Sequence, residues 1–467
     1  MLANLIPTLG EAYYLLEWVV RLAMLATIPF RRAPAATRSW LLLIFFLPVP
    51  GLLLFLAIGS PRFPQWRMAR FRNLQAFFQD LAARLAPVEV RETEVTALAA
   101  RLGRFPAVAG NHVAFLDDYD GVIERLVADI DAARHHVRLL VYIFADDEVG
   151  GKVIAALARA VARGVACRVL FDPVGSRRWR RGTLARLEAA GVDVRTTLPF
   201  RLLRGRTRRD MRNHRKLFVI DGVIGYTGSQ NIVARDFRPG IVNRELVVRV
   251  TGPAVAEMNA VFLADWYLET ETMLDAAPPI PAATGEATVQ LLPSGANYAV
   301  EGFQTLLIWQ LHRARRRVVI VTPYLIPDED LLGALETAVL RGVDVHLVVS
   351  AVVDQWLVSL AQASYYDRLL SCGVRVHRFR ADLLHAKNVC VDDSLAILGS
   401  SNVDIRSFQL NEEISLLLLD PVSIARLCEV QDGYLAGSDE LTRAAWRQRG
   451  RARKLAENVA ALVSPLL

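Results

Sequence analysis

Asn213 to Asn231, NHRKLFVIDGVIGYTGSQN, gathers His214, Lys216, Asp221, Ser229 and Asn231 into nineteen residues. Near the other end of the chain, HAKNVCVDDSLAILGSSN places His385, Lys387 and Asp392 at the same offsets, with Ser400 and Asn402 following. The 467 residues include only 8 His and, among 55 basic residues, four Lys: Lys152, Lys216, Lys387 and Lys454. At those frequencies His-x-Lys with Asp five residues on arises by chance roughly 0.004 times per chain, so two copies imply a duplicated functional motif. If the run is a strand, alternation puts the His and Lys side chains on one face, and Leu217 to Ile220 continues as a buried strand. Asp221-Gly222 and Asp392-Asp393 read as the turns that close it.

Outward from the motifs the pattern is α/β. Gly121 to Arg134 reads as a helix, Val137 to Phe144 as a buried strand, Val153 to Arg163 as a helix and Ala166 to Phe171 as a strand. Ala314 to Val349 echoes Ala133 to Phe171, and GVDV (191–194) and GVRV (373–376) precede their motifs in matching places. A duplicated α/β domain follows, with mainly parallel strands and a Pro/Ala-rich seam near Ala276 to Gly285. The expected division is 1–60, two hydrophobic membrane segments; 61–110, an amphipathic juxtamembrane linker; 111–280 and 281–440, the two repeats; and 441–467, a basic amphipathic tail.

If each half gives one His, one Lys and one Asn to a shared cleft, the lysines and amides can hold the non-bridging oxygens of a phosphodiester and offset its charge in the transition state. One neutral imidazole attacks phosphorus while the other, protonated, gives its proton to the leaving alcohol. That chemistry requires no metal and no other cofactor. The incoming hydroxyl of the second step can belong to water or to an alcohol.

Composition narrows the partners. Apolar residues make up 53% of the chain, the net charge is +7, and mean hydropathy is positive, which suits membrane contact and anionic partners, phospholipid or nucleic acid alike. Cys167, Cys372, Cys390 and Cys428 form neither a CxxC pair nor a Cys/His cluster, so no zinc site or disulfide framework is expected. Tyr13 to Phe30 is apolar apart from Glu17 and Arg21, which lie four apart and can pair. Trp40 to Gly59 carries no charge over twenty residues and, at about 1.5 Å per residue, matches a ~30 Å hydrocarbon layer. It is read as a span; Pro48, Pro50 and Gly51 at its centre offer the alternative of two half-helices entering and leaving on one face. No cleaved signal peptide is expected. Trp66, Phe71, Leu74, Phe77, Phe78 and Leu81 recur at helical spacing, as in a head-group-layer helix or an ordinary linker helix.

The two HxK(x)4D motifs, each followed by Gly-Ser-x-Asn, resemble those of the phospholipase D superfamily. GNHVAFL, FDPVGS, VTPYLIPDEDLL and SNVDIRSFQLNEEISLLL extend the resemblance to its bacterial cardiolipin synthase family over almost the whole chain. The resemblance implies a duplicated phospholipase D-like domain, two mixed β-sheets flanked by helices with the active site between the halves, behind an N-terminal membrane-anchoring helical hairpin. It implies His214 as nucleophile, His385 as acid/base, Lys216, Lys387, Asn231 and Asn402 as phosphate ligands alongside Ser229 and Ser400, and Glu245 and Glu413 orienting the imidazoles. Asp221 and Asp392 belong to the motif but sit at its turns, which favours a structural role. The implied reaction joins two phosphatidylglycerol molecules with release of glycerol; partners are phosphatidylglycerol, other anionic phospholipids and the membrane, with no nucleic acid. The implied location is the inner (cytoplasmic) membrane, catalytic domain in the cytoplasm. A lipid hydrolase and a nuclease of the superfamily are the alternatives. Tyr142 and Tyr324 end equivalent strands and are read as core aromatics or cleft walls. The basic run Arg201 to Arg215 is read as a head-group site or a solvated loop. Arg443 to Lys454 with Leu455 to Leu467 reads as a surface helix or a frayed tail.

Overall fold

The computed structural model describes residues 9–31, 34–59, 63–88, 90, 92–199 and 210–462. They fall into two compact units, residues 1–66 with 200–211, and residues 67–199 with 212–467. Most of the basic run from Arg201 lies outside the described residues; Arg212 and Arg215, at its end, are buried.

In the first unit α1 (Leu9–Thr27) runs into a 3₁₀ turn (Ile28–Phe30), and Gly10–Phe30 is long and apolar enough to cross a membrane. Glu17 and Arg21 pair along it at 3.2 Å. Trp40 to Gly59 is not one span. It breaks at Leu47 into α2 (Pro34–Phe46) and α3 (Pro48–Ile58). Pro48 supplies no N–H to a continuing helix and drives the residue before it out of the helical region, and Leu47 sits at φ −132°, ψ 75°. The Trp40 and Phe55 rings meet edge to face at 5.2 Å, whereas fifteen residues of unbroken helix would separate them by about 22 Å. The two helices therefore fold back on each other. Gly51 permits the approach, because a Cβ there would lie 2.9 Å from the Ile44 side chain. At 13 and 11 residues, about 20 and 17 Å, neither can cross a ~30 Å layer alone.

In the second unit the strands are, in chain order, β1 (Val108–Leu116), β2 (His136–Val141), β3 (Ala166–Phe171), β4 (Asp193–Thr196), β5 (Leu217–Ile220), β6 (Ile224–Gly228), β7 (Asn243–Arg244), β8 (Val247–Thr251), β9 (Ala287–Ser294) and β10 (Arg317–Val321). They continue with β11 (Leu325–Ile326), β12 (Asp344–Ser350), β13 (Arg375–Phe379), β14 (Leu383–Leu384), β15 (Asn388–Val391), β16 (Leu395–Gly399), β17 (Val403–Asp404), β18 (Glu413–Leu418) and β19 (Ser438–Leu441). The resemblance implies two mixed sheets; the structure has one large sheet of fifteen strands, ordered β19-β13-β12-β10-β15-β16-β18-β9-β1-β8-β6-β5-β2-β3-β4, beside the two-stranded pairs β11-β17 and β14-β7. Apart from the extra edge strand β19, the order is a palindrome about β9 and β1. Those two would be edge strands with unpaired backbone groups, and their antiparallel pairing at Val108–Val289 and Asn111–Ala287 fuses the repeats into a continuous sheet. β2, β3 and β4 run parallel, as do β10, β12 and β13, each joined by helical crossovers; the strands toward the centre are antiparallel.

The helix Ala254–Thr270 is buried on nearly all sides, which is why its sequence is apolar without periodicity. The helices over residues 65–85 do not lie in a head-group layer: Phe71, Leu74, Phe78, Leu81 and Leu85 are buried in the main core, with Phe78 edge-on to Phe105 at 5.7 Å. The tail is not frayed through residue 462. Its helices Arg443–Arg447 and Arg451–Leu462 bury Trp446, 5.2 Å from Tyr366, and Ala460.

Candidate active site

Both motif histidines lie just ahead of their strands, and each is stitched to the opposite repeat. The His214 N–H donates to Glu412 O at 2.8 Å, and the His385 N–H donates to Arg244 O at 2.8 Å. These backbone bonds set the following residues, Glu413 and Glu245, beside the rings. His214 Nδ1 lies 3.0 and 3.1 Å from the Glu413 carboxylate oxygens, and His385 Nδ1 lies 2.7 and 2.9 Å from those of Glu245. Each imidazole is thus oriented by a carboxylate from the other repeat. Nδ1–H donating to an ionised carboxylate leaves Nε2 as the reactive nitrogen of both rings.

The lysines complete a buried cationic site. Lys216 Nζ donates to His214 O at 2.7 Å, and Lys387 Nζ makes the matching bond to His385 O. Burial pulls Lys216 down to about 7 and Lys387 down to about 8, each further lowered by a neighbouring cation and supported by Glu245 and Glu413. Burial also lowers His214, and takes His385 to about 4, against the pull of Glu413 and Glu245 respectively. Burial alone would raise the two glutamates, but the facing imidazoles and lysines hold both below the ordinary carboxyl value. Burial thus favours the neutral form of both imidazoles, and the carboxylates beside them oppose it. A phosphodiester anion entering beside the lysines reverses part of this, raising lysine and histidine together.

Each carboxylate also meets the Ser of its own Gly-Ser-x-Asn segment, Ser400 with Glu413 at 2.5 Å and Ser229 with Glu245; Glu413 accepts in addition from Ser407 Oγ at 3.0 Å, while Glu245 has the shorter histidine bond and a long contact to Asn243 Nδ2 at 3.4 Å. Ser229 Oγ bridges the backbone of Leu246. Asn231 Oδ1 accepts from the Ile143 N–H at 3.0 Å, which fixes its amide and leaves Nδ2 to donate; Asn402 Oδ1 is buried without a partner among the described residues. Asp221 and Asp392 are not with the others. They lie at the far ends of β5 and β15, about 17 Å along the chain from their lysines. Asp221 accepts the N–H groups of Arg134, His135 and His136 at 2.7–2.8 Å, and Asp392 those of Arg315, Arg316 and Arg317 at 2.9–3.0 Å.

The family described as "Cardiolipin synthase, PLD-like domain" matches residues 126–266 and 307–431. Cardiolipin synthase A of Yersinia pseudotuberculosis is 32% identical over 466 residues, covering 94% of each chain, and those of Erwinia tasmaniensis and Cronobacter sakazakii are 33% and 34% identical at the same coverage. The chain belongs to the cardiolipin synthase family of the phospholipase D superfamily. Its fold is shared with a phosphatidylserine synthase of Haemophilus influenzae, at TM-score 0.61 and 15% identity over 84% of this chain and all of that one.

Of the two readings of Tyr142 and Tyr324, core aromatic or cleft wall, the ring contacts favour the second: the Tyr142 ring stands 4.8 Å from His214 and Tyr324 stands 6.5 Å from His385. Arg215, between the motif His and Lys, points the other way into the protein. It holds Asp265 at 2.6 and 2.7 Å, Glu412 at 2.8 Å and Glu413 O at 2.9 Å, and so fixes the backbone that carries Glu413. The second motif has Ala386 there, an asymmetry between repeats that was the one available signal. Ser407 offered none: it lies in the first turn of a five-residue helix capped by Asp404, and only the fold brings its hydroxyl to Glu413.

Proposed function

We propose that this chain transfers a phosphatidyl group from one phosphatidylglycerol to the glycerol hydroxyl of a second, making cardiolipin and releasing glycerol. The crossed His–Glu pairs, with a buried lysine beside each, carry the reading, and the near full-length similarity to cardiolipin synthases supports it. His214 Nε2 attacks phosphorus while the glycerol P–O bond breaks, and protonated His385 gives its proton to the departing oxygen. The resulting phosphohistidine is attacked by the second lipid's hydroxyl oxygen as His385 takes the hydroxyl proton back; the P–N bond breaks and His214 regains its electron pair. Lys216, Lys387 and the Asn231 and Asn402 amides hold the non-bridging oxygens. The superfamily pattern supports His214 as the nucleophile, and Glu245, at 2.7 and 2.9 Å from His385 Nδ1, offsets the burial of a protonated His385 during transfer.

One phosphodiester replaces another, so no nucleotide energy is needed. The apolar helix ahead of the catalytic unit fits attachment to the inner membrane, with the catalytic unit in the cytoplasm. The test is purified protein in vesicles with phosphatidylglycerol alone, followed by lipid analysis. Cardiolipin plus glycerol is expected; phosphatidic acid plus glycerol would make it a hydrolase. His214→Ala and His385→Ala each abolish product, chelator leaves the rate unchanged, and an acid-quenched adduct maps by mass spectrometry to His214. Label on His385 alone reverses the two roles.

A further inference from the structure

Equivalent loops of the two repeats carry unlike chemistry at the same site. After β3, the loop into the helix Arg180–Ala189 exposes Arg177, Arg178, Arg180 and Arg181, and no carboxylate among the described residues is paired with them. After β12, the loop into the helix Trp356–Cys372 exposes Val353, Trp356 and Leu357, with Trp356 71% exposed.

Both loops touch the walls of the catalytic rings. A Cβ on Gly175 would sit 2.8 Å from the Tyr142 ring, which faces His214. Asp354 accepts from the Tyr324 hydroxyl at 2.6 Å, and Tyr324 faces His385. A first-repeat segment links the two: Phe237 packs 5.9 Å from Trp179, and the next residue, Arg238, pairs with Asp354. The result is a continuous rim, basic on one lip and apolar on the other. The apolar lip is extended by the helix Arg451–Leu462. Its Ala460 is buried with Ile326, Val358 and Ala361 in the cluster against which Tyr324 packs, while Leu455, Val459 and Leu462 form an outward stripe at 65, 54 and 80% exposure. Large apolar side chains gathered in the open at a cleft mark a binding surface, and an outward Trp beside a cationic cluster suits the junction of head groups and acyl chains.

We propose that this rim is the membrane-docking face of the catalytic unit, its apolar lip entering the acyl layer of an anionic phospholipid bilayer and its arginine lip taking the head-group phosphates. Charge complementarity and continuity with the cleft favour a bilayer as the occupant. The inference rests on the lipid-substrate reading above, because a lipid must pass from bilayer to His214 and His385 with its tails covered.

The test uses the full chain with its four native cysteines replaced, a polarity-sensitive fluorophore on Trp356→Cys or Leu462→Cys, and a control on Leu340→Cys, which is 83% exposed on another helix. In phosphatidylglycerol vesicles, the probes at 356 and 462 are shielded from iodide and quenched by nitroxides on the acyl chains, and the control is not. High salt or replacing the four arginines weakens the quenching. A probe at 356 as open to iodide as the control overturns the proposal, and so does shielding without nitroxide quenching, which means a protein surface covers the rim. Trp356→Ser is expected to raise KM on vesicles several-fold while kcat changes less than twofold. If the wild type turns over no phosphatidylglycerol, the functional reading fails while the quenching still decides the docking.

Discussion

Lys216 and Lys387 have their ordinary pKa lowered to about 7 and about 8 by burial, so raising the pH discharges the phosphate clamp far below the usual lysine range. Each is protonated below its pKa and neutral above it. The expected outcome is a kcat/KM that, beyond the loss from deprotonation of His385 at lower pH, falls further as pH rises through about 7 to 8, while kcat holds to higher pH because bound phosphodiester keeps the lysines charged. Steady-state profiles on phosphatidylglycerol check this; a kcat/KM flat to pH 9 refutes it. Arg215 is a positioning residue of another sort. Arg215→Ala leaves Asp265 and Glu412 buried without their cation, and breaking such a pair costs about 3–5 kcal/mol. Denaturant unfolding reads that loss. Arg215→Lys, which keeps the charge without the fork, should recover stability in part but still slow adduct formation on His214, since Glu413 loses its anchor.

At the scale of the element, Asp221 and Asp392 tie each motif hairpin to the turn entering β2 or β10. Both sit at positive φ, 54° and 50°, a conformation that Asp and Asn tolerate better than most residues. Asp221→Ala removes the acceptor of three backbone N–H groups and adds backbone strain, so it should cost about 1–3 kcal/mol. Asp221→Asn should keep most of the stability, and both variants should keep their rate per folded molecule; a rate lost with stability intact would return Asp221 to the chemistry. The broken apolar segment carries a second prediction. If α1 crosses and the α2–α3 hairpin re-enters, single cysteines at Ala35 and Ser60 label from one side of the membrane and a cysteine at Ala3 from the other. Labelling of Ala35 opposite Ser60 restores the second span.

For the whole molecule, the exchange of Glu413 and Glu245 means that neither repeat owns a complete site. Residues 1–280 or 281–467 expressed alone should form no cardiolipin, because each would keep one motif histidine and lose its carboxylate. Co-expressed, the pieces should recover activity, since β1 and β9 present complementary edges and the seam near residues 276–285 is cut without crossing a strand. Activity in either half alone refutes the crossed arrangement. Homodimerisation of a half, which would mimic the palindrome, is separated by sizing and by the absence of product.

The duplicated motif, the α/β pattern of each repeat and the pairing of His214 with Lys216 and of His385 with Lys387 were readable because they are local: spacing, alternation and residue chemistry survive in one dimension. β3 fell where its residues place it, and β2 within one residue at its start, for the same reason. The local signal failed at three places where distant packing decides. A charge-free run of twenty residues has the length of a span, but whether Pro48 ends a helix depends on Gly51 having Ile44 to pack against. The apolar face of residues 66–85 reads equally as lipid-facing or core-facing, and the core around Phe105 takes it. The fusion of two sheets into one, the pairing of each histidine with the other repeat's glutamate and the burial that shifts the lysines follow from contacts between residues 140 to 199 positions apart, which no periodicity encodes.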